Sequence, residues 1–213
     1  DPFLRTHPLS KERLKFIRKH RLSEKVIEPE KDKIIYKRLR AKINAFTDPP
    51  GKTLLISKNN SMYDKYARAI AYFRIPMYEE AILAINSLLN DYPNDPYFLE
   101  LKGQIYAENG KVENAISAYR NSLEQMQKPA PLIMLALANM LLEKKNSTQS
   151  YLEAKLLLER TVFLEPRNIL AWHLKGIAHS KLKEINLANL SAAEEYLIRN
   201  DFKRSKYFAK KVL

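Results

Sequence analysis

A repeat with a period near 34 residues is the feature that most constrains how this chain folds. Four alanines each begin a short apolar run, and Ala81, Ala115, Ala154 and Ala188 are spaced 34, 39 and 34 residues apart. The tripeptide Leu-Lys-Gly at 101–103 recurs at 174–176. Self-similarity at such a period predicts stacked structural units, each of which buries its apolar face against its neighbours.

The composition indicates that these units are helical. Leu, Ala, Lys and Glu dominate, only 4 residues are Gly, and no stretch of β-branched residues alternates with polar ones. We therefore expect an all-α fold. The pattern predicts helix pairs near 61–74 and 78–91, 96–109 and 112–126, 131–145 and 149–164, and 168–181 and 184–199. A basic helix near 201–213, with Phe202, Phe208 and Val212 on its apolar side, is expected to cap the stack.

Residues at fixed positions of the repeat carry a family resemblance. The eighth position is small in every unit, as Ala69, Gly103, Ala138 and Gly176. Three positions later stand Tyr72, Tyr106, Leu141 and His179. This pattern resembles the tetratricopeptide repeat, in which a small residue lets two helices approach and a large one wedges between them. The resemblance implies a right-handed superhelical stack of four helix pairs.

The front of the chain does not fit the repeat. Two further helices are expected near 8–20 and 30–47, and the second places Ile34, Ile35, Leu39, Ile43 and Phe46 on one stripe. The Thr-Asp-Pro-Pro-Gly run at 47–51 is expected to end that helix. We therefore divide the sequence into an N-terminal helical segment, 1–58, and a repeat domain, 59–213.

The sequence contains no catalytic constellation. Cys is absent, and there is neither a Gly-x-Ser-x-Gly elbow nor a glycine-rich phosphate loop. His173 and His179 are six residues apart, so they point to different sides of their helix and do not form a zinc pair. His179 is expected to be a packed core residue, and Glu194 with Glu195 an exposed charge pair. No cofactor is expected in this segment.

The first helices of stacked pairs line a concave groove, which makes binding the expected function. The second, fifth, ninth and twelfth positions of each unit are predicted to face it. They include Tyr63, Tyr66, Ile70, Phe73, Tyr97, Glu100, Gln104, Leu132, Leu135, Asn139, Leu170 and His173. This surface is aromatic and mostly uncharged, so it favours an extended peptide or an inserted helix of a protein partner. The alternative is that residues 1–50 fold back and fill the groove.

The net charge of +13 is concentrated at the two ends of the chain. Residues 1–50 hold 14 Lys/Arg and 7 Asp/Glu, residues 200–213 hold 5 and 1, and the long middle holds 18 and 16. A solvated basic face is the simplest interpretation, and an acidic partner or a membrane surface touching the basic ends is the alternative. Nucleic acid is not expected in the groove, because no Lys or Arg stands among its predicted residues.

The stretch Thr6-His7-Pro8-Leu9, followed by Arg13, resembles the segment after the glutamate zinc ligand in His-Glu-x-x-His zinc metallopeptidases of the periplasm. One subgroup of these proteases continues into tetratricopeptide repeats and surveys outer-membrane protein assembly. Further stretches similar to that subgroup are 40–42, 66–72, 96–104 and 168–213.

This resemblance implies the non-catalytic, protein-binding region of a zinc metalloendopeptidase, which recruits substrate or assembly-machine proteins. It also implies a periplasmic or outer-membrane-associated location. The chain has no His-Glu-x-x-His motif, so zinc and the active site would belong to the parent chain. His7 is the residue that would map to a gating ligand of that zinc. The alternative is a stand-alone tetratricopeptide scaffold without any protease.

Overall fold

The computed structural model describes residues 14–16, 18–19 and 30–212, and it confirms the all-α expectation for them. Residues 14–16 and 18–19 are helical. The helices that follow are α1 Glu30–Thr47, α2 Pro50–Ile56, α3 Met62–Arg74, α4 Tyr78–Asp91, α5 Pro96–Glu108, α6 Val112–Gln125, α7 Pro131–Glu143, α8 Thr148–Leu164, α9 Ile169–Lys181, α10 Ile185–Ile198 and α11 Phe202–Ala209.

Helices α3 to α10 form four consecutive pairs, as the repeat predicts. The two helices of each pair pack against each other, and each second helix also packs on the first helix of the next pair. The predicted bounds of these helices agree with the structure to within about two residues. Pro96 and Pro131 begin the first helices of pairs two and three, where a missing N–H costs nothing.

The segment before the repeats contains a short helix that the sequence did not predict. The Thr-Asp-Pro-Pro-Gly run ends α1 as expected, but Pro50 then opens α2 instead of a loop. Proline is suited to the first helical position because its backbone angle is already helical. Helix α2 packs on α3, and Thr53 is buried there.

Two arginines of α3 hold the ends of α1 and α2. Arg74 donates from Nη1 to the carbonyl oxygen of Ala45 at 2.9 Å and to that of Asp48. Arg68 donates to the carbonyl oxygen of Asn59 at 2.8 Å and to that of Ser57. The last carbonyls of a helix have no partner within the helix, so a cationic donor there both satisfies and stabilises them.

The chain divides into two units, Asp1–Arg40 and Ala41–Leu213. The second unit contains the end of α1, α2 and all four helix pairs. Our division at residue 58 was based on the repeat pattern and stays a prediction.

Of the predicted apolar stripe on α1, Ile34, Ile35, Leu39 and Ile43 are exposed, whereas Phe46 packs against the core of the first repeat.

Helix α11 packs on α10 at the end of the stack, as a capping helix should. It caps only with part of its predicted apolar side. Phe208 stacks on Tyr196 with ring centroids 5.6 Å apart, and Val212 is half-buried, but Phe202 is exposed. The helix also ends at Ala209 rather than continuing to the last residue.

His179 is buried, which confirms its expected place in the core. Its Nδ1 lies 2.6 Å from Oε2 of Glu184, and the other carboxylate oxygen, Oε1, accepts from Nζ of Lys155 at 2.9 Å. The three side chains join α8, α9 and the turn between α9 and α10. The repeat pattern predicted the buried histidine but not its partners.

We expect this network to make stability depend on pH. The ammonium of Lys155 and then the ring of His179 hold the pKa of Glu184 below its usual range. A depressed carboxylate pKa stabilises the fold above the pKa of the unfolded chain, about 4.3, and this stabilisation is lost as the pH falls through the folded pKa. Glu184→Gln should lower Tm by a few degrees at neutral pH, and the difference from the natural chain should shrink below about pH 4.

The matched control is Glu124→Gln, since that carboxylate is exposed and acts only weakly on Arg120, whose ion-pair partner is Glu153. It should leave Tm unchanged at both pH values. A Tm difference for Glu184→Gln that stays constant from neutral pH to pH 3 would show that the network does not titrate with this carboxylate.

Candidate protein-binding groove

The predicted groove residues all lie on the first helices α3, α5, α7 and α9, but they differ in exposure. Tyr66, Ile70 and Leu135 are buried; Tyr63, Phe73, Glu100, Gln104 and Asn139 are half-buried; Tyr97, Leu132, Leu170 and His173 are exposed. The groove pattern therefore contains two kinds of position, and only the exposed and half-buried ones offer surface to a partner.

The first repeat has little open groove, because the end of α1 packs there. Ala45 is buried in the same core cluster as Tyr66 and Ile70, and Phe46 packs against that cluster. The Tyr66 ring also meets Phe98 edge-on, with centroids 5.0 Å apart. Tyr66 and Ile70 are thus core residues in this structure. The repeat pattern placed them on the groove because it takes no account of a helix from outside the repeats.

The end of α1 reaches the second repeat as well. Lys42 donates from Nζ to Oε2 of Glu100 at 3.2 Å, and both side chains are about one-third exposed. Glu100 was the only charged residue among the predicted groove positions, apart from the titratable His173. With Glu100 paired to Lys42, the predicted groove positions of the first two repeats carry no uncompensated charge.

The remaining three repeats present what we call the apolar row: Tyr97, Leu132 and Leu170. Each stands at the second position of its first helix, and these side chains are 42%, 69% and 51% exposed. Helices α7 and α9, which carry the two leucines, contact each other directly. Stacked units repeat equivalent positions along one side of the stack, and in this register Tyr97 on α5 precedes the two leucines.

His173 lies beside Glu195, a carboxylate whose burial the sequence did not predict. Glu195 was expected to be exposed together with Glu194, but it is buried. Its Oε2 lies 3.0 Å from Nδ1 of His173, and its Oε1 accepts from Nε of Arg199 at 3.0 Å. These partners make burial of the carboxylate tolerable, because a buried charge is stable only when it is paired.

Next to this pair, a pocket of about 280 Å³ opens between α9, α10 and α11. Its lining is mainly apolar and includes Trp172, Ile177, Tyr196 and Phe208. The pocket lies where α11 covers the last pair incompletely. His173, a predicted groove residue, is also part of its lining.

Among the described residues, no group of three or more His, Asp or Glu side chains is placed to hold a metal ion. His173 and His179 each have a separate carboxylate partner. His7, which the peptidase resemblance singles out, lies outside the described residues. In the same described part, every helix is too short or too polar to span a bilayer.

No protein-family model and no curated protein matches the sequence. Solved structures do resemble it. MamA (residues 41 to the end) from Desulfovibrio magneticus RS-1 has a TM-score of 0.60 at 17% identity, over 72% of this chain and 94% of that one. Another MamA crystal structure has a TM-score of 0.55 at 16% identity, over 75% of this chain and 85% of that one. The fold is a tetratricopeptide-like stack.

Yeast Tom70 is similar to this stack over more of the present chain. Its TM-score is 0.64 at 14% identity, with 83% of this chain covered but only 39% of Tom70. The present chain therefore corresponds to a part of Tom70. At such identities, the likeness establishes the architecture of the tetratricopeptide-like stack and nothing about its ligands.

Proposed function

We propose that this chain is a protein-binding scaffold whose partner lies as an extended segment along the apolar row. The observation that carries this is the recurrence of a large exposed apolar side chain at one position of three consecutive first helices. Isolated exposed leucines are ordinary, but a row in register along a stack is a surface suited to an extended chain.

The row's surroundings specify the chemistry of that partner. Gln104 and Asn139, half-buried at the ninth positions of α5 and α7, supply amides that both donate and accept hydrogen bonds to a peptide backbone. Glu100 is already paired with Lys42, and Glu195 with His173 and Arg199. The expected partner is therefore an uncharged segment with apolar side chains at intervals.

A peptide-display selection against the whole chain tests this function. Enriched peptides should be apolar and uncharged, and Leu132→Glu combined with Leu170→Glu should weaken their binding at least about tenfold, because two leucines lose their contacts. The matched control is Leu83→Glu with Leu156→Glu, which introduces the same charges at exposed leucines of the second helices α4 and α8. Equal loss in both double variants, or no enriched peptide, would contradict a site on the apolar row.

The metallopeptidase hypothesis is a finer version of the same proposal. It rests on the sequence resemblance alone, so the stand-alone scaffold is the better supported of the two. In the metallopeptidase hypothesis, the scaffold recruits proteins to a zinc endopeptidase in the periplasm or at the outer membrane, and His7 gates the parent's zinc. The upstream reading frame tests it: a start codon within about 30 residues and no His-Glu-x-x-His motif would rule out a protease parent.

A further inference from the structure

We propose that α11 and the turn after it bind the surface of an anionic lipid bilayer. Within the described residues, the contacts that hold this helix to the stack come from one side of it. Oγ of Ser205 donates to the carbonyl oxygen of Ala193 at 2.9 Å, Phe208 stacks on Tyr196, and the Arg204 guanidinium lies 4.8 Å from the centre of the Tyr196 ring. These contacts fix which face of α11 points outward.

The outward face carries lysines. Lys203, Lys206 and Lys210 follow at intervals of three and four residues, which places them on one stripe of a helix. All three are exposed, and none has an ion pair within the part of the chain that the structure describes. Residues 200–213 contain 5 Lys/Arg and a single acid, Asp201. That acid accepts from the backbone N–H of Arg204 and pairs with its guanidinium, while Lys203 adds a smaller electrostatic attraction, so one acid stands against five basic residues.

Two aromatic side chains border this lysine stripe. Phe202 is 64% exposed and Tyr207 is 55% exposed, and helical spacing puts one on each side of the three lysines. Lys211, in the turn after the helix, lies with Nζ 4.5 Å from the centre of the Tyr207 ring. A merely solvated basic face would not need exposed aromatic rings. Lysines flanked by aromatic residues are the arrangement of helices that lie in a bilayer interface.

Lipid suits this face better than nucleic acid does. The arginine that could bind a phosphate by two parallel hydrogen bonds, Arg204, is exposed, but its guanidinium is already paired with Asp201 and lies over the Tyr196 ring. The three lysines are point charges along one helix, whereas nucleic-acid sites that use aromatic stacking are grooves. The apolar row lies on other helices, α5, α7 and α9, so the scaffold could hold a protein partner while α11 rests on a membrane.

Vesicle co-sedimentation with the whole chain tests this site. We expect binding to phosphatidylcholine vesicles that contain phosphatidylglycerol, none to phosphatidylcholine alone, and a steep decrease with added salt. Replacing Lys203, Lys206 and Lys210 together by glutamine should weaken binding roughly a hundredfold. Replacing Phe202 and Tyr207 by serine should weaken it about tenfold, because the rings enter the interface.

The matched control removes the same charge elsewhere: Lys128→Gln, Lys145→Gln and Arg160→Gln, all exposed and outside α11. This variant should bind vesicles like the natural chain to within a few-fold, and circular dichroism should show every variant folded. Equal loss in the two triple variants, or full binding after Phe202→Ser with Tyr207→Ser, would overturn the proposal. The proposal would also be overturned if the chain bound single-stranded RNA through the same lysines and did not bind anionic vesicles.

Discussion

Tyr66→Ala is expected to lower the free energy of unfolding by about 3–5 kcal/mol, the usual cost of removing a buried aromatic side chain. Tyr66 is 1% exposed and packs in one cluster with Ala45, Phe98 and Leu101. Its edge-on contact with Phe98 adds to the stabilisation from burial alone. The cavity would open between α1, α3 and α5, so the end of α1 should loosen together with the first repeat.

Tyr97→Ala is the matched control, because this tyrosine belongs to the same groove pattern but is 42% exposed, against 1% for Tyr66. It should change the free energy of unfolding by less than about 1 kcal/mol. Urea denaturation followed by circular dichroism measures both variants. If the two variants lost the same free energy of unfolding, Tyr66 would not be a core residue. The expected contrast also has a practical consequence: weaker partner binding by Tyr66→Ala would report damage to the fold, whereas Tyr97→Ala tests the apolar row directly.

Gly103→Ala is expected to destabilise the chain by about 1–3 kcal/mol, although alanine normally favours a helix. A Cβ on Gly103 would lie 2.7 Å from both Cδ1 and Cε1 of Tyr119, closer than packed carbon atoms approach. Tyr119 stands on α6 and is buried, so a shift of its ring would disturb other buried side chains. The absence of a side chain is what lets α5 and α6 pack at this distance.

Gly176→Ala should raise the stability of the chain, whereas Gly103→Ala should lower it. Gly176 stands at the same repeat position and in the same Leu-Lys-Gly tripeptide, but its nearest neighbours, the Ala188 carbonyl oxygen and Ser191 Cβ, would be 3.6 Å from the new Cβ. This is ordinary contact, so the helix preference of alanine should stabilise the chain by up to about 1 kcal/mol. The difference in Tm between the two variants is the measurement. Loss of stability in both would mean that the fourth pair packs as tightly as the second.

The sequence by itself determined the helices and their pairing. The repeated alanines and the small residues at the eighth position reflect contacts inside one helix pair. The contacting residues are close in sequence, and equivalent residues make similar contacts in every unit. Such contacts leave a periodic trace, and that is why the predicted bounds of α3 to α10 agree with the structure. The burial of His179 was predictable for the same reason.

Only the tertiary structure decided which groove positions are open. Tyr66 and Ile70 share their buried cluster with Ala45 of α1, which lies outside the repeats, and Lys155 and His173 reach Glu184 and Glu195 from other helices. Contacts of this kind join residues far apart along the chain and occur once rather than in every repeat. They produce no periodic pattern in the sequence, so the position of a carboxylate in the sequence does not show whether a lysine or only water lies opposite it.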